Sequence, residues 1–308
     1  MALPDDRLRG RVITGRIGNP QPGVRQPVPI ILPDVGSLFR SRAERLLSLA
    51  DNHVMADWLR FIARLAEAQH KAAAAIAVKA PSIEAAVAAR LPPLSPERHK
   101  RTAAWRDALA VLLQTVDEPS LPSEATGVIA ALTRMDIGSR EKLADAYLEG
   151  HMGGRTGEGL FIAAALQVYF AGLATSLPVQ PLRLLPQRGL CPVCGSAPVS
   201  GVIAAAGNAP GARYLHCGLC ATAWNHVRAV CINCSESRSL ALHEIDGGNG
   251  TVKAETCEAC HSYAKMLYQT NDMQVDAMAD DLASLALDIL LATAGWTRCA
   301  PNPLVIAG

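Results

Sequence analysis

Eight of the nine cysteines in this 308-residue chain fall into four Cys-x-x-Cys pairs: Cys191/Cys194, Cys217/Cys220, Cys231/Cys234 and Cys257/Cys260. The gaps between successive pairs are 22, 10 and 22 residues, so the unit C-x2-C-x22-C-x2-C occurs twice, offset by 40 residues. A Cys-x-x-Cys turn presents two thiolates on one side of a tight knuckle. A second knuckle from about 20 residues away completes a tetrahedral four-sulfur metal site. Knuckles two and three could also close on one another, but the repeated gap favours sequential pairing, one site per repeat. Redox-active dithiols of the thioredoxin type need a βαβ setting, which the pattern around these cysteines does not provide. Four thiolates accept zinc or iron equally in geometry. They leave no open position for water or substrate, so the expected sites are structural or electron-carrying rather than hydrolytic. No catalytic residue and no organic cofactor is expected, since no GxGxxG, P-loop, HExxH or GxSxG signature is present.

The knuckles can be read further. Gly195 follows Cys194, where a positive φ lets backbone N–H groups point at sulfur, while the equivalent positions hold Ala221, Ser235 and His261. Gly211 and Gly247-Gly248 mark a bend inside each repeat. His216 and His261 adjoin ligand cysteines but are expected as bystanders, because four thiolates already complete each site. Cys299 lies outside the repeats and reads as an ordinary cysteine. Each module is too small to fold on a core of its own, so metal binding is expected to supply its folding energy.

The rest of the chain must position these modules. Half of it is apolar, with Ala and Leu dominant and aromatics at 4%, which favours helices and disfavours an aromatic stacking platform for RNA. The expected fold is α+β: an all-helical N-terminal domain, two small rubredoxin- or zinc-ribbon-like four-cysteine metal modules, and a C-terminal helix. The expected divisions are a flexible basic arm over 1–33, the helical domain over 34–185, the modules over 186–230 and 231–268, and the helix and tail over 269–308. The arm carries Arg7, Arg9, Arg11, Arg16 and Arg25 among many prolines, which argue against helix and central strand. Apolar spacing predicts helices over 37–51, 55–78, 97–117, from Ser123, 140–150 and 158–176, with breaks at Pro92–Pro96 and at Pro119 and Pro122. Residues 273–294 are expected as a helix whose wet positions are Asp276, Asp280, Asp281 and Asp288, with the Asp280-Asp281 pair exposed or capping. The apolar run Leu160–Ala174 is short for a membrane span and reads as a buried core helix. The opening residues hold Asp5, Asp6 and four arginines without an apolar run, which predicts a cytoplasmic protein. Between 191 and 265 five basic residues balance five acidic ones, and thiolate sites add negative charge, so nucleic acid is not the expected partner.

The segments Cys191-Pro-Val-Cys-Gly-Ser196, Gly211-Ala-Arg-Tyr-Leu-His-Cys217, Trp224, Val227-Arg228, Lys253-Ala-Glu-Thr-Cys257, Tyr263-Ala-Lys265 and Ala279-Asp-Asp-Leu-Ala-Ser-Leu-Ala-Leu-Asp288 resemble the formate dehydrogenase accessory protein FdhE family. The helical half resembles it through Leu38-Phe39, Arg42, Glu44-Arg45-Leu46 and Asp57-Trp-Leu59, so the likeness covers about residues 35–305. It implies a cytoplasmic maturation factor that binds the catalytic subunit of respiratory formate dehydrogenase and is absent from the finished enzyme. It also implies two rubredoxin-type sites, and tilts the metal from zinc toward iron. Two departures stand out: Ala223-Trp224-Asn225 occupies the family's Glu-Trp-His position, with His226 one residue later, and Val230 replaces a lysine before the third knuckle. From the residues alone, a rubredoxin-type electron carrier and, more distantly, a zinc-ribbon nucleic-acid binder are the rival readings.

Overall fold

The Ala- and Leu-rich first half folds as helices, as its apolar spacing requires. A computed structural model describes residues 26–116, 121, 123–207 and 209–305, with the backbone of 8–13. The helices are α1 (Val35–Ala50), α2 (Ala56–Ala75), α3 (Glu84–Ala88), α4 (Ala104–Val116), α5 (Ser123–Arg134), α6 (Ile137–Leu148) and α7 (Thr156–Thr175). Asp34 caps α1 by accepting from the Gly36 N–H at 3.1 Å, and Asp136 caps α6 by accepting from the Ser139 N–H at 3.0 Å. Helix α7 is apolar all round because it runs through the middle of the bundle, against α1, α2, α4, α5 and α6. Among the described residues it is the one helix long and apolar enough to cross a membrane, and most of that stretch is buried in protein. Helix α4 starts later than the periodicity suggests. The Thr102 N–H is taken by the Tyr169 hydroxyl of α7 at 3.1 Å, which holds the preceding turn open. The expected break at Pro119 and Pro122 lies outside the described residues.

The cysteine region forms two three-stranded meanders, β3 (Pro198–Ile203), β4 (Arg213–Cys217) and β5 (Ala223–His226), then β6 (Leu240–Ile245), β7 (Val252–Cys257) and β8 (Ser262–Tyr268). They are not separate sheets. Strand β8 of the second repeat pairs in parallel with β3 of the first, Gly201 to Met266 through Ile203 to Tyr268. One sheet results, in the order β6-β7-β8-β3-β4-β5. Two strands from the expected arm close its ends: β1 (Leu8–Ile13) lies antiparallel on β6, and β2 (Ile30–Ile31) lies antiparallel on β5. Both edges tolerate the arm's composition, since β1 occupies a proline-free run between Pro4 and Pro20. The arm's Arg7, Arg16 and Arg25 lie outside the described residues. A short strand β9 (Thr297–Arg298) pairs with the start of β8.

The C-terminal helix departs from expectation in two ways. It is broken, with α8 (Ala279–Ala283) and α9 (Leu285–Thr293) separated at Ser284. Lys265 Nζ, from β8, takes the Asp281 carbonyl at 2.7 Å and the Ser284 carbonyl at 3.3 Å, and Ser284 Oγ donates back to the Asp280 carbonyl at 2.7 Å. These carbonyls are thereby drawn out of a continuous helical ladder. The aspartates are also not wet. Asp280 is 2% exposed and Asp281 is 0% exposed. Asp280 accepts from Arg45 of α1 at 2.5 and 3.0 Å, and Asp281 meets Lys265, Arg298 and Asn302 Nδ2. Asp288 accepts from Lys265 at 2.5 Å and from the Tyr263 hydroxyl at 2.7 Å. Asp276 caps α8 by accepting from the Met278 and Ala279 N–H groups at 2.9 and 2.8 Å. Buried carboxylates are tolerated only when paired, and here each has a cation or cap. Burial alone would push the Asp281 carboxyl up; Lys265 and Arg298 reverse that and hold it below the usual range.

Candidate metal centres

Each repeat places one knuckle before its first strand and one between its second and third. Cys191–Cys194 precedes β3, and Cys217–Cys220 joins β4 to β5; Cys231–Cys234 precedes β6, and Cys257–Cys260 joins β7 to β8. The two halves repeat the same local bonds. The Gly195 and Ser235 N–H groups donate to the Cys191 and Cys231 carbonyls at 2.9 and 3.1 Å, and the Cys191 and Cys231 N–H groups donate to the Ser196 and Glu236 carbonyls at 2.9 and 2.7 Å. All four residues that follow a knuckle have positive φ: Gly195 at 82°, Ala221 at 56°, Ser235 at 64° and His261 at 50°. The backbone therefore demands the left-handed turn even where the sequence does not supply glycine.

The sulfurs converge in two groups, Cys191, Cys194, Cys217 and Cys220, and Cys231, Cys234, Cys257 and Cys260, each with its atoms within 4.8 Å of one another. Sequential pairing of the knuckles is thus what the structure brings together. In the second group Cys231–Cys260 and Cys234–Cys257 are both 3.7 Å apart; in the first, Cys191–Cys220 and Cys194–Cys217 are 3.5 and 3.3 Å apart. Four sulfurs around an ion at the usual bond of about 2.3 Å stand about 3.8 Å apart, so each donor set fits a tetrahedral ion. Each group could hold a metal ion. Burial pushes the Cys191 and Cys220 thiols well up, whereas neighbouring thiols and Ser196 hold Cys194 well down against that burial. Metal uptake there must expel protons from the remaining thiols.

The two groups differ in setting. The first is fully buried and belongs to the main core, alongside side chains of the helical bundle. The second leaves Cys234 exposed and Cys260 half-buried, and it shares a small core of its own with Leu240. Hydroxyls two residues past a knuckle reach sulfur in three cases: Ser196 Oγ lies 3.4 Å from Cys194, Thr222 Oγ1 3.2 Å from Cys220, and Ser262 Oγ 3.0 Å from Cys260. Sequence reasoning missed these contacts, although the C-x-[ST] that closes three of the four knuckles was visible. Cys299 lies outside both converging groups, but its Sγ lies 3.5 Å from Ser262 Oγ, next to the second group. His216 is half-buried on β4, and His261 is exposed with its ring 5.7 Å from Trp296; neither joins the converging sulfurs.

Arg213 ties the repeats together. It is 1% exposed and donates to Glu255 of β7 at 2.6 Å, to the Val230 carbonyl at 2.6 Å, to the Val227 carbonyl and to His226 Nδ1. Residues 227–230 are the link into the third knuckle, so one guanidinium fixes the approach to Cys231. His226 is buried against it. Burial first, and Arg213 second, push this ring down to about 4, so it is neutral at pH 7. Asn225 instead donates its side-chain amide to the Arg213 carbonyl of β4, while its own N–H donates to the Pro29 carbonyl.

Comparison with known proteins gives one consistent result. Sequence models described as FdhE N-terminal, FdhE central domain and FdhE C-terminal domain match residues 27–185, 190–228 and 229–305. The "Protein FdhE homolog" of Edwardsiella ictaluri is 41% identical over 311 residues, covering 99% of this chain and 98% of that protein. That of Citrobacter koseri is 37% identical over 290 residues, covering 91% and 92%. The crystal structure of the FdhE protein from Pseudomonas aeruginosa matches with a TM-score of 0.82 and 34% identity, covering 91% of this chain and 100% of that one.

Proposed function

This chain belongs to the FdhE family, and from that premise we propose that it is a cytoplasmic accessory factor, not an enzyme, that binds the catalytic subunit of respiratory formate dehydrogenase and is needed for its activity. The observation that carries the reading is the pair of four-cysteine clusters set in one sheet and backed by a helical bundle. Cys191, Cys194, Cys217 and Cys220 hold one ion and Cys231, Cys234, Cys257 and Cys260 the other, with iron preferred to zinc on the family resemblance. With all four positions taken by sulfur, a bound ion supplies folding energy or a single electron, not a water nucleophile. The balanced charge of residues 191–265 speaks for a protein partner over nucleic acid. The test is deletion of the gene in its host, reading formate-to-dye activity per amount of catalytic subunit on one native gel. Subunit that is present but inactive, and rescued by the wild-type gene, is the expected result. Unchanged activity per subunit overturns the reading.

One observation favours a second reading, a rubredoxin-type electron carrier: the second cluster is open to solvent at Cys234 and Cys260, as electron exchange with a partner requires. It demands iron and reversible reduction. Zinc in both clusters, as isolated from the native host, excludes it.

A further inference from the structure

We propose that Gln167, held by Gln69, is a positioning residue for the first cysteine cluster, gripping the knuckle peptide that hydrogen-bonds the Cys217 sulfur; this rests on the reading that the cluster holds a metal. Gln167 is the polar exception in the apolar centre of α7, 3% exposed, and Gln69 of α2 is 0% exposed. Two amides in such a core are costly unless hydrogen-bonded. Gln69 Nε2 donates to Gln167 Oε1 at 2.9 Å and to the Ala164 carbonyl at 3.0 Å. Gln167 Nε2 then leaves the bundle and donates to the Gly218 carbonyl at 2.7 Å.

That carbonyl is one end of the Gly218–Leu219 peptide. At its other end the Leu219 N–H donates to Cys217 Sγ at 3.3 Å, joined by the Cys220 N–H at 3.4 Å. A peptide is planar, so fixing its oxygen fixes the direction of its N–H. The donors run one way, from Gln69 through Gln167 and the peptide to sulfur, and bonds in such a chain polarise one another by about 10–30% each. The peptide is hemmed in on its other side: a Cβ on Gly218 would stand 3.0 Å from Pro303 Cγ. The corresponding knuckle residues of the second cluster, Glu258 and Ala259, are exposed. Among the described residues this amide chain therefore serves the buried cluster. N–H bonds to a thiolate stabilise its charge and tune the metal it holds.

The test uses the full chain loaded with cobalt(II), whose sulfur-to-metal absorption reports each cluster, followed by release to a chelator. The wild type should bind two ions and release them in two phases, the faster from the exposed cluster, identified by its loss in Cys234→Ser. Gln167→Met keeps the side-chain volume and removes the donor. It should speed the slow phase about tenfold or more, shift the absorption of that ion, and leave the fast phase alone. Gln69→Met keeps the Gln167 bond but weakens its support, and should shift both readouts the same way by less. If Gln167→Met does not fold, Gln69→Met decides. A slow phase and spectrum unchanged, or both phases altered alike, overturns the relay while leaving the metal reading intact. A wild type that takes up no cobalt overturns both.

Discussion

A left-handed backbone after each knuckle costs an L-residue roughly 1–2 kcal/mol, and Ala221, Ser235 and His261 bear that cost where Gly195 does not. Gly195→Ala should therefore destabilise the loaded protein by about 1–2 kcal/mol. Its new Cβ would also stand 3.1 Å from Pro92 Cγ. Ala221→Gly relieves the same strain but frees the unfolded chain, so its net effect should lie within about 1 kcal/mol of zero or be favourable. Denaturant unfolding of both variants checks the pair; a neutral Gly195→Ala contradicts the account. Ligand removal is expected to be local in stoichiometry. Cys217→Ala should bind one ion rather than two by metal analysis, since three thiolates buried without an ion cannot hold the first cluster's knuckles together. Two ions retained would contradict the assignment. At this scale the sequence was most legible, because Cys-x-x-Cys spacing is a local rule. Gln167 was not: a lone polar residue in an apolar helix says nothing of the knuckle 51 residues away that it reaches.

Elements were legible where their periodicity was self-sufficient, as in α1, α2 and α7, and failed where distant charges intervened. The apolar spacing of 273–294 runs straight through Ser284, so nothing local announces the break between α8 and α9. It is set by Lys265 from β8, and the burial of Asp280 and Asp281 is set by Arg45, Lys265 and Arg298, from three other elements. Lys265→Met should leave Asp281 and Asp288 sharing Arg298. Breaking a buried pair in this way costs about 3–5 kcal/mol, read as a lowered urea midpoint; a shift under about 1 kcal/mol contradicts it. Strand β5 supplies a pH test. His226 is held neutral down to about 4 in the folded chain, against about 6.5 when unfolded. The unfolded state binds the extra proton between those values, so stability falls as pH drops from about 6.5 toward about 4. At pH 5 the loss from this group is about 2 kcal/mol. His226→Gln keeps an acceptor for Arg213 and removes the titration, so its stability should fall less than the wild type's between pH 7 and pH 5. Parallel loss in both proteins contradicts the assignment.

Across the whole molecule, two repeats that read as separate beads are one object. The parallel pair of β8 with β3 merges their sheets, β1 and β2 cover the two outer edges, and Arg213 bridges β4 to β7 through Glu255. None of this could be read from the repeats, because which strand of one meander meets which strand of the other depends on contacts distant in sequence. The first cluster shares the helical core, whereas the second rests on its own small core and on the link that Arg213 fixes. Coupled by the β8–β3 pair and by the Arg213 bridge, the wild type should lose both ions and its helical signal together in urea. Arg213→Met removes the bridge, strands Glu255 without its cation and frees the carbonyls before Cys231. Its second cluster should give up cobalt at lower urea than the first, with the helical signal following the first. A variant whose two ions still leave together, at a midpoint merely lowered, shows that the shared sheet alone couples the repeats and that Arg213 contributes stability without coupling.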